Sequence, residues 1–389
     1  MMRACWLLVA GVGLMIATAC APQNTAEPQT SAGAVFFPQP PAPPRLQFLT
    51  SFRDAAAFAD PAKGTFAQWV VGQEKDTTSR TRLDSPYGVA AHDGRLYICD
   101  VGIDCVHVID LITKEYSRLD EGAVRNPVNI TIDADGTKYV CDTGAHRVLV
   151  FDAQDKYVTA FGDPTAWTPI DLAIAGDELM VADVTGGKIH VYSKTDHKFL
   201  RNIGKKGPGP DELTNPTNLD MGPDGKLYVT DTIQQMIKVY TPSGDFVGAI
   251  GGPGADIGHF ARPKGIAIDP HGVIFVADSQ WDVVQLFNPD GKLLMVFGEP
   301  GEKPYAMGLP AGLCIDATSL PQFRKYIAKS FDAEYLLLVV NQFGFNKIAV
   351  YAFGTDRTMP ASAYEVDMAK VDEANKAMRA KETPTAPSP

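Results

Sequence analysis

The sequence predicts an all-β protein, a six-bladed β-propeller, because one phrase recurs six times along its 389 residues. Each copy begins with Pro, continues as a short apolar segment, and ends in a second apolar segment closed by Asp or Asn. The closing residues are Asp100, Asp142, Asp183, Asp231, Asp278 and Asn341. They lie 42, 41, 48 and 47 residues apart, with a final interval of 63. A period of this length is typical of propeller blades.

Each repeat predicts four antiparallel strands. The first strand begins at the Pro, and a turn such as 135–136 leads into the second. The third is an apolar segment such as 147–151, and the fourth ends in Gly, as at Gly162 and Gly251. We interpret the closing Asp as a turn lock rather than a catalytic group, because a short carboxylate accepts backbone N–H groups.

The sixth repeat lacks a fourth strand, and a spare segment upstream predicts how the ring closes. Residues 66–72 end in Gly72, as the fourth strands of the other repeats do. We predict that this N-terminal strand pairs into the last blade, because closure removes exposed sheet edges. The propeller is then expected over residues 65–354. An insertion at 317–334 predicts a short basic helix on one rim, which is either a binding element or a decorative loop.

The repeated phrases resemble the NHL-repeat family of six-bladed propellers. The resemblance covers residues 65–354 and is carried by phrases such as 263–267 (Pro-Lys-Gly-Ile-Ala) and 227–231 (Leu-Tyr-Val-Thr-Asp). It implies the fold far more than the function, because the family includes enzymes, RNA binders and interaction scaffolds.

The N-terminal residues predict export. Residues 1–19 combine Arg3, an apolar stretch at 6–16 and small residues before Cys20. This segment resembles a bacterial lipoprotein signal, which implies lipidation of Cys20 and a membrane-anchored protein facing the periplasm or cell surface. Cleavage by an ordinary secretory signal peptidase is the alternative. The Pro-rich residues 20–64 predict a disordered tether.

The C-terminal residues and the net charge of the chain narrow the possible architecture and function further. Residues 355–389 predict a helical tail followed by a disordered end. The net charge of −11 argues against a nucleic-acid partner, because phosphate binding needs a Lys and Arg surface.

Four cysteines remain in the predicted propeller, and no Cys-x-x-Cys pair is present. Zinc ribbons, haem attachment and thioredoxin chemistry are therefore disfavoured. Cys99 and Cys141 occupy a slot that holds small residues in other repeats, which fits a small apolar side chain. Cys105 replaces a basic residue of the neighbouring repeats. We keep open a disulfide between Cys99 and Cys105, since an oxidising compartment would permit it.

Three consecutive repeats place polar residues at the same point of the first strand. Asn129, Asp171 and Asn218 stand where the other repeats have Gly88, Gly265 and Gly312. Oxygens converging on the propeller axis suit Ca²⁺. The pattern is similar to the channel metal site of gluconolactonase-type propellers, which implies a metal that polarises a lactone or ester carbonyl. The competing interpretation is that these side chains satisfy backbone groups beside channel water.

Other enzyme classes find less support. The seven His are predicted in turns, loops and outward positions, so a His-ligated zinc, as the resemblance to the peptide-amidating lyase would imply, is disfavoured. No nucleophile-elbow or phosphate-loop motif is present.

We therefore predict a cell-envelope lipoprotein whose propeller is a scaffold that binds an envelope protein or a small ligand. Trp281 and Phe343, in second-to-third-strand turns, and Trp167, in a blade connection, are the candidate contacts. Packing of these aromatic residues on neighbouring blades is the alternative. The second candidate function is a calcium-dependent lactonase or esterase that uses Asn129, Asp171 and Asn218.

Overall fold

The computed structural model describes residues 33–58 and 80–364, apart from positions 121, 164, 166 and 255. The predicted signal, Cys20, segment 66–72 and the C-terminal tail from 365 onward lie outside the described residues. The described residues form six sheets of four or five strands, arranged as the blades of a propeller. The predicted fold class is confirmed.

Blades one to five each contain four consecutive antiparallel strands, and blade six also takes strands from the N-terminal part of the chain. In blade order the strands are β3 Pro86–His92, β4 Arg95–Asp100, β5 Cys105–Asp110 and β6 Glu115–Arg118; β7 Pro127–Ile132, β8 Lys138–Asp142, β9 Arg147–Phe151 and β10 Tyr157–Phe161; β11 Pro169–Ala175, β12 Glu178–Asp183, β13 Lys188–Ser193 and β14 Phe199–Ile203; β15 Pro216–Met221, β16 Leu227–Asp231, β17 Met236–Tyr240 and β18 Phe246–Gly251; β19 Pro263–Ile268, β20 Ile274–Asp278, β21 Val283–Phe287 and β22 Leu293–Phe297; and β23 Pro310–Asp316, β24 Phe331–Asn341, β25 Ile348–Asp356, β2 Leu46–Phe52 and β1 Val35–Phe37.

The core lies between neighbouring blades rather than inside one of them. One cluster joins Tyr97 and Val106 of blade one to Ile130 and Val140 of blade two, and similar clusters fill the other gaps. The second strand of each blade is buried almost throughout, as in β8 and β16. Sheets covered on both sides need apolar residues on both faces, which explains the weak polar–apolar alternation of these strands.

The closing Asp residues lock turns, as the sequence predicts. Asp278 illustrates the arrangement: its carboxylate accepts the N–H groups of Ala261 at 2.8 Å and Arg262 at 3.0 Å. It also accepts the N–H of Gln280, two residues further on, at 3.1 Å. The end of the second strand is thereby tied to the entry of the first. We call this side of the disc the Asp face, and the opposite side, where first strands turn into second strands, the hairpin face.

The ring is closed by an N-terminal strand, but not by the predicted one. β2 (Leu46–Phe52) pairs with β25, with Thr50 opposite Val350, and β1 adds a fifth strand outside β2. The edge that we assigned to residues 66–72 is therefore occupied by residues 46–52. Both N-terminal strands fall within 20–64, the range predicted to be a tether, so the propeller begins earlier in the chain than residue 65.

The insertion in blade six holds the closing strand. It contains the predicted short helix, α1 (Leu320–Phe323), followed by a 3₁₀ turn at Arg324–Tyr326. Gln47 of β2 donates to the Tyr326 carbonyl and accepts from the Ala328 N–H, both at 2.9 Å. Phe323 is fully buried against Phe58. The insertion therefore has a structural role that the sequence did not indicate.

The described C-terminal part of the chain ends in a 3₁₀ turn, Ala361–Tyr364. Within residues 33–58 and 80–364, no helix is long and apolar enough to cross a membrane.

Candidate functional site

The six first strands surround a central channel. A polar cavity of about 670 Å³ extends along it toward the hairpin face and is lined by all six of these strands. The third residues of the six first strands together form a ring at the inner end of this cavity. These residues are Gly88, Asn129, Asp171, Asn218, Gly265 and Gly312. The structure therefore brings the three predicted polar residues onto one side of the ring.

Half of this ring is closed by direct backbone contact. A Cβ added to Gly265 would lie within 3.0 Å of the Ala311 carbonyl oxygen of blade six. One added to Gly312 would similarly meet the Tyr87 carbonyl of blade one, and one added to Gly88 would meet the backbone of blade two. Only Gly permits these first strands to approach so closely.

The other half of the ring is closed by side-chain hydrogen bonds between blades. The Asn129 Nδ2 donates to the Ile170 carbonyl of blade three at 2.9 Å. The Asp171 Oδ2 accepts the Leu219 N–H at 3.0 Å and the Asn218 Nδ2 at 3.2 Å, both from blade four. The Asp171 Oδ1 accepts the Leu172 N–H at 2.9 Å. These contacts match the structural interpretation of the polar triplet.

Asp220 extends this pattern one step toward the hairpin face. Its carboxylate accepts the Ile268 N–H of blade five and the Met221 N–H, both at 2.8 Å. Burial raises the pKa of Asp171 and of Asp220 to about 7, and the N–H donors offset only part of that rise. The channel thus holds two carboxyl groups that titrate near neutral pH.

The polar triplet does not fit a calcium site. Ca²⁺ needs six to eight oxygen ligands, whereas the triplet supplies two amide oxygens and one carboxylate, and both Asp171 oxygens already accept N–H bonds. In the part of the chain that the structure describes, the Asn218 Oδ1 is the triplet's one buried oxygen without a hydrogen-bond partner. No three His, Cys, Asp or Glu side chains among the described residues group as a metal site.

A lysine lies near the channel on the Asp face. Lys264 is largely buried, and its ammonium donates to the Gln342 Oε1 at 2.7 Å and lies 5.2 Å from the centre of the Tyr87 ring. Burial, with a smaller contribution from Arg262, lowers the pKa of Lys264 to about 8. A buried lysine at this position is one feature of the Asp face that the repeat pattern did not reveal.

The Asp face carries exposed apolar residues on three consecutive blades. They lie in the turns between the second and third strands of blades four, five and six: Ile233 is 64% exposed, Trp281 45%, and Phe343 and Phe345 60% each. We call these four residues the turn patch. The corresponding turns of blades two and three, which include Ala145 and Gly186, expose no large apolar side chain. The patch is therefore confined to one half of the face.

The turns that carry the patch are held in place by hydrogen bonds. The Asp231 carboxylate accepts the Gln234 N–H at 3.0 Å, and Asp278 accepts the Gln280 N–H as described above. In blade six the Asn341 Nδ2 donates to the Asn346 carbonyl at 2.7 Å. Cations lie over the two Phe rings, with Lys347 6.0 Å from Phe343 and Arg53 5.6 Å from Phe345. The patch is thus presented on fixed turns.

Trp167, the third predicted contact, is not part of this surface. It is 3% exposed, its indole N–H donates to the His146 carbonyl at 2.7 Å, and its ring packs on Gly162. Leu213, Phe260 and Met307 pack in the same way on Gly204, Gly251 and Gly298. Trp167 is therefore a blade-packing residue. Leu213, Phe260 and Met307 stand at the equivalent position of their repeats, and this equivalence is the sequence signal that indicates packing.

The proposed disulfide between Cys99 and Cys105 is not formed. In the antiparallel register, Cys99 lies opposite Val106 and Cys105 opposite Asp100. Adjacent cross-strand pairs point to opposite faces of a sheet, so the two sulfurs are separated by the backbone. Burial raises the pKa of Cys99 well above its ordinary value. Its role as a small core residue is confirmed.

Comparison with known proteins supports the fold. No protein-family model and no curated protein matches the chain. A Bacteroides thetaiotaomicron protein of unknown function superposes with a TM-score of 0.55 at 14% identity, over 79% of this chain and 75% of that one. A gluconolactonase from Xanthomonas campestris superposes with a TM-score of 0.53 at 14% identity, over 84% of this chain and 99% of that one. A streptogramin B lyase superposes with a TM-score of 0.49 at 13% identity, over 70% of this chain and 85% of that one. At these identities the likeness concerns the fold alone.

Proposed function

We propose that this protein is an exported, lipid-anchored binding module that holds an envelope protein on its Asp face through the turn patch. The observation that carries the proposal is the set of four large apolar side chains exposed on consecutive, hydrogen-bonded turns. Large exposed apolar residues that cluster on one face mark interaction surfaces. Aromatic side chains on rigid supports are also frequent binding hot spots.

The channel supports this proposal by what its polar residues already do. The Asn129 and Asn218 NH₂ groups and the Asp171 carboxylate join blades two, three and four through hydrogen bonds. We therefore place the scaffold function ahead of the calcium-dependent hydrolase. The partner is a protein with an apolar surface, because Trp281, Phe343 and Phe345 offer large apolar areas and few hydrogen-bonding groups.

A photo-crosslinking experiment tests the partner surface. In cells that produce the protein, a photo-crosslinking benzophenone amino acid replaces Trp281. In the control variant, the benzophenone amino acid replaces Ile112 instead. Ile112 is 62% exposed and follows the third strand of blade one, on the hairpin face. Irradiation is expected to give a discrete protein adduct from position 281 and none from position 112.

A second pair of variants shows whether the adduct depends on the whole patch. Phe343→Ser with Phe345→Ser is expected to reduce the adduct about tenfold or more, since hot-spot losses reach about 2 kcal/mol. Absence of an adduct at position 281, or equal adducts at 281 and 112, would overturn the proposal.

The anchor has its own test. Cys20→Ser is expected to move the exported protein from the membrane fraction to the soluble fraction of the envelope, because the lipid attachment atom is removed. An unchanged distribution between the two fractions would show that Cys20 carries no anchor. The crosslinking result does not depend on this outcome.

A further inference from the structure

A second cavity lies on the hairpin face, away from both the channel and the turn patch. It has a volume of about 470 Å³ and separates blade five from the strands that close blade six. Val273, Leu286 and Leu294 of blade five form its apolar side, and Arg45, Phe353 and Tyr364 form the opposite side. We call it the side cavity. Its volume is in the usual range for small-molecule sites.

Arg45 is the distinctive group of the side cavity. Its Nη2 donates to the Tyr364 carbonyl at 2.9 Å, and its Cζ lies 4.8 Å from the Tyr364 ring centre and 5.9 Å from that of Phe353. Within the described residues, these side-chain contacts include no carboxylate. A guanidinium has five N–H donors, so most of its capacity to bind an anion is unused there.

The acidic residues near the side cavity are already engaged. Glu334 pairs with His271 at 3.2 Å. The Asp269 Oδ2 accepts the Tyr335 hydroxyl at 2.7 Å, and its Oδ1 accepts the N–H groups of His271 and Val273. These contacts leave the guanidinium of Arg45 as the group suited to a ligand's charge.

The wall that carries Tyr364 is held in place. The Tyr364 hydroxyl accepts the Asp356 N–H at 2.7 Å, while its carbonyl accepts from Arg45. The Phe353 and Tyr364 rings also attract the guanidinium, since cation–π contacts favour a defined position. The cavity is thus formed before a ligand enters, which lowers the entropic cost of binding.

We propose that the side cavity binds an apolar monocarboxylate, such as a medium-chain fatty acid, with its carboxylate on Arg45. A carboxylate matches one guanidinium through two parallel N–H bonds. The apolar chain then lies against Val273, Leu286 and Leu294. A phosphate is less suited, because its second negative charge would find no further cation and would lie near Glu334.

Calorimetric titration of the full mature chain with octanoate tests the proposal. Octanol and octylamine are the matched neutral and cationic probes. We expect one octanoate site, at least about tenfold tighter than octanol, because a charge-assisted bidentate pair contributes that much or more. Octylamine is expected to bind more weakly than octanol. Octanol binding as tight as octanoate, or no octanoate binding, would overturn the proposal.

Two variants locate the site. Arg45→Met is expected to remove the preference for octanoate over octanol, whereas Arg357→Met is expected to leave it unchanged. Arg357 also belongs to the hairpin side of blade six but pairs with exposed Asp332 and does not line the cavity. Leu294→Trp fills the cavity and should weaken both probes about tenfold. Octanoate binding that is unaffected by Arg45→Met and Leu294→Trp would place the site elsewhere and contradict the proposal.

Discussion

The two halves of the inner ring join neighbouring blades in different ways. Around blades five, six and one, Gly265, Gly312 and Gly88 let adjacent first strands touch through their backbones. Around blades two, three and four, Asn129, Asp171 and Asn218 join adjacent blades through side-chain hydrogen bonds. A glycine in this ring is therefore a packing residue, not a metal ligand that has been lost.

The difference also shows why the polar triplet resembled a metal site. Oxygen-bearing side chains at equivalent positions of consecutive blades converge in either case. The hydrogen-bond partners decide between the two interpretations, and here each carboxylate oxygen of Asp171 faces an N–H donor of the protein.

The largest effect is expected in the glycine half. Gly265→Ala forces a Cβ against the Ala311 carbonyl oxygen, a backbone atom that cannot move aside without displacing β23. The free energy of unfolding should fall by about 3 kcal/mol. Urea unfolding measures this change. Gly248→Ala is the matched control, because a Cβ there meets no atom within 4 Å. It should change stability by less than about 0.5 kcal/mol. Equal effects of the two variants would show that the strands do not touch.

A smaller effect is expected in the polar half. Asp171→Asn places an NH₂ group where one carboxylate oxygen now accepts N–H bonds, so a donor faces a donor. The free energy of unfolding should fall by about 2 kcal/mol. Asp135→Asn, in an exposed turn, is the control and should be nearly neutral. A neutral Asp171→Asn variant would contradict the proposed bridge between blades three and four.

The polar half should also give stability a specific pH dependence. Burial raises the pKa of Asp171 and Asp220 to about 7, while an unfolded Asp titrates near about 3.9. The folded state thus retains protons that the unfolded state has released. This contribution is fully present below about pH 4 and is lost as the pH rises through about 7. Between those values the stability of the wild type should fall more steeply than that of the Asp171→Asn, Asp220→Asn double variant. Parallel curves in urea unfolding would contradict these pKa values.

Cysteine labelling should show no difference between the halves. Cys141 lies opposite Asn129 in the polar half, and Cys99 lies on the second strand of blade one in the glycine half. Both side chains are buried, and burial raises the pKa of each thiol well above its ordinary value. Iodoacetamide at pH 8 should therefore label neither in the native protein and both in urea, as read by peptide mass spectrometry. Native labelling of one residue would reveal a gap in its half.

The sequence was sufficient to predict the number of blades. Each repeat begins its first strand with Pro and ends its second strand with an Asp or Asn that binds the turn. The sequence pattern misassigned the closing strand for a physical reason. The terminal Gly of a fourth strand makes room for a side chain of the short connection that follows, as Gly251 does for Phe260. Phe52 is followed by a long connection to Pro86, so β2 needs no such Gly. Residues 66–72 match the terminal-Gly pattern, but the place beside β25 is taken by β2.

Site residues were predicted less completely than the fold. Asn129, Asp171 and Asn218 were identified by position, but their partners depend on the spacing between blades, which no repeat encodes alone. Asp220 and Lys264 were missed, although Asp220 replaces the small residues found at Ala173 and Ala267. The side cavity joins residues near both ends of the described chain, such as Arg45 and Tyr364, and closure of the ring had to be known first.

Calcium titration tests the central claim most directly, namely that the ring's polar residues join blades and leave the propeller to act as a binding module. Thermal unfolding of metal-free protein is followed with and without millimolar Ca²⁺, for the wild type and for Asp171→Asn. We predict the same midpoint with and without the ion in each protein, and no lactone hydrolysis. A rise in the wild-type midpoint on adding Ca²⁺, absent from Asp171→Asn and accompanied by hydrolysis, would contradict the account.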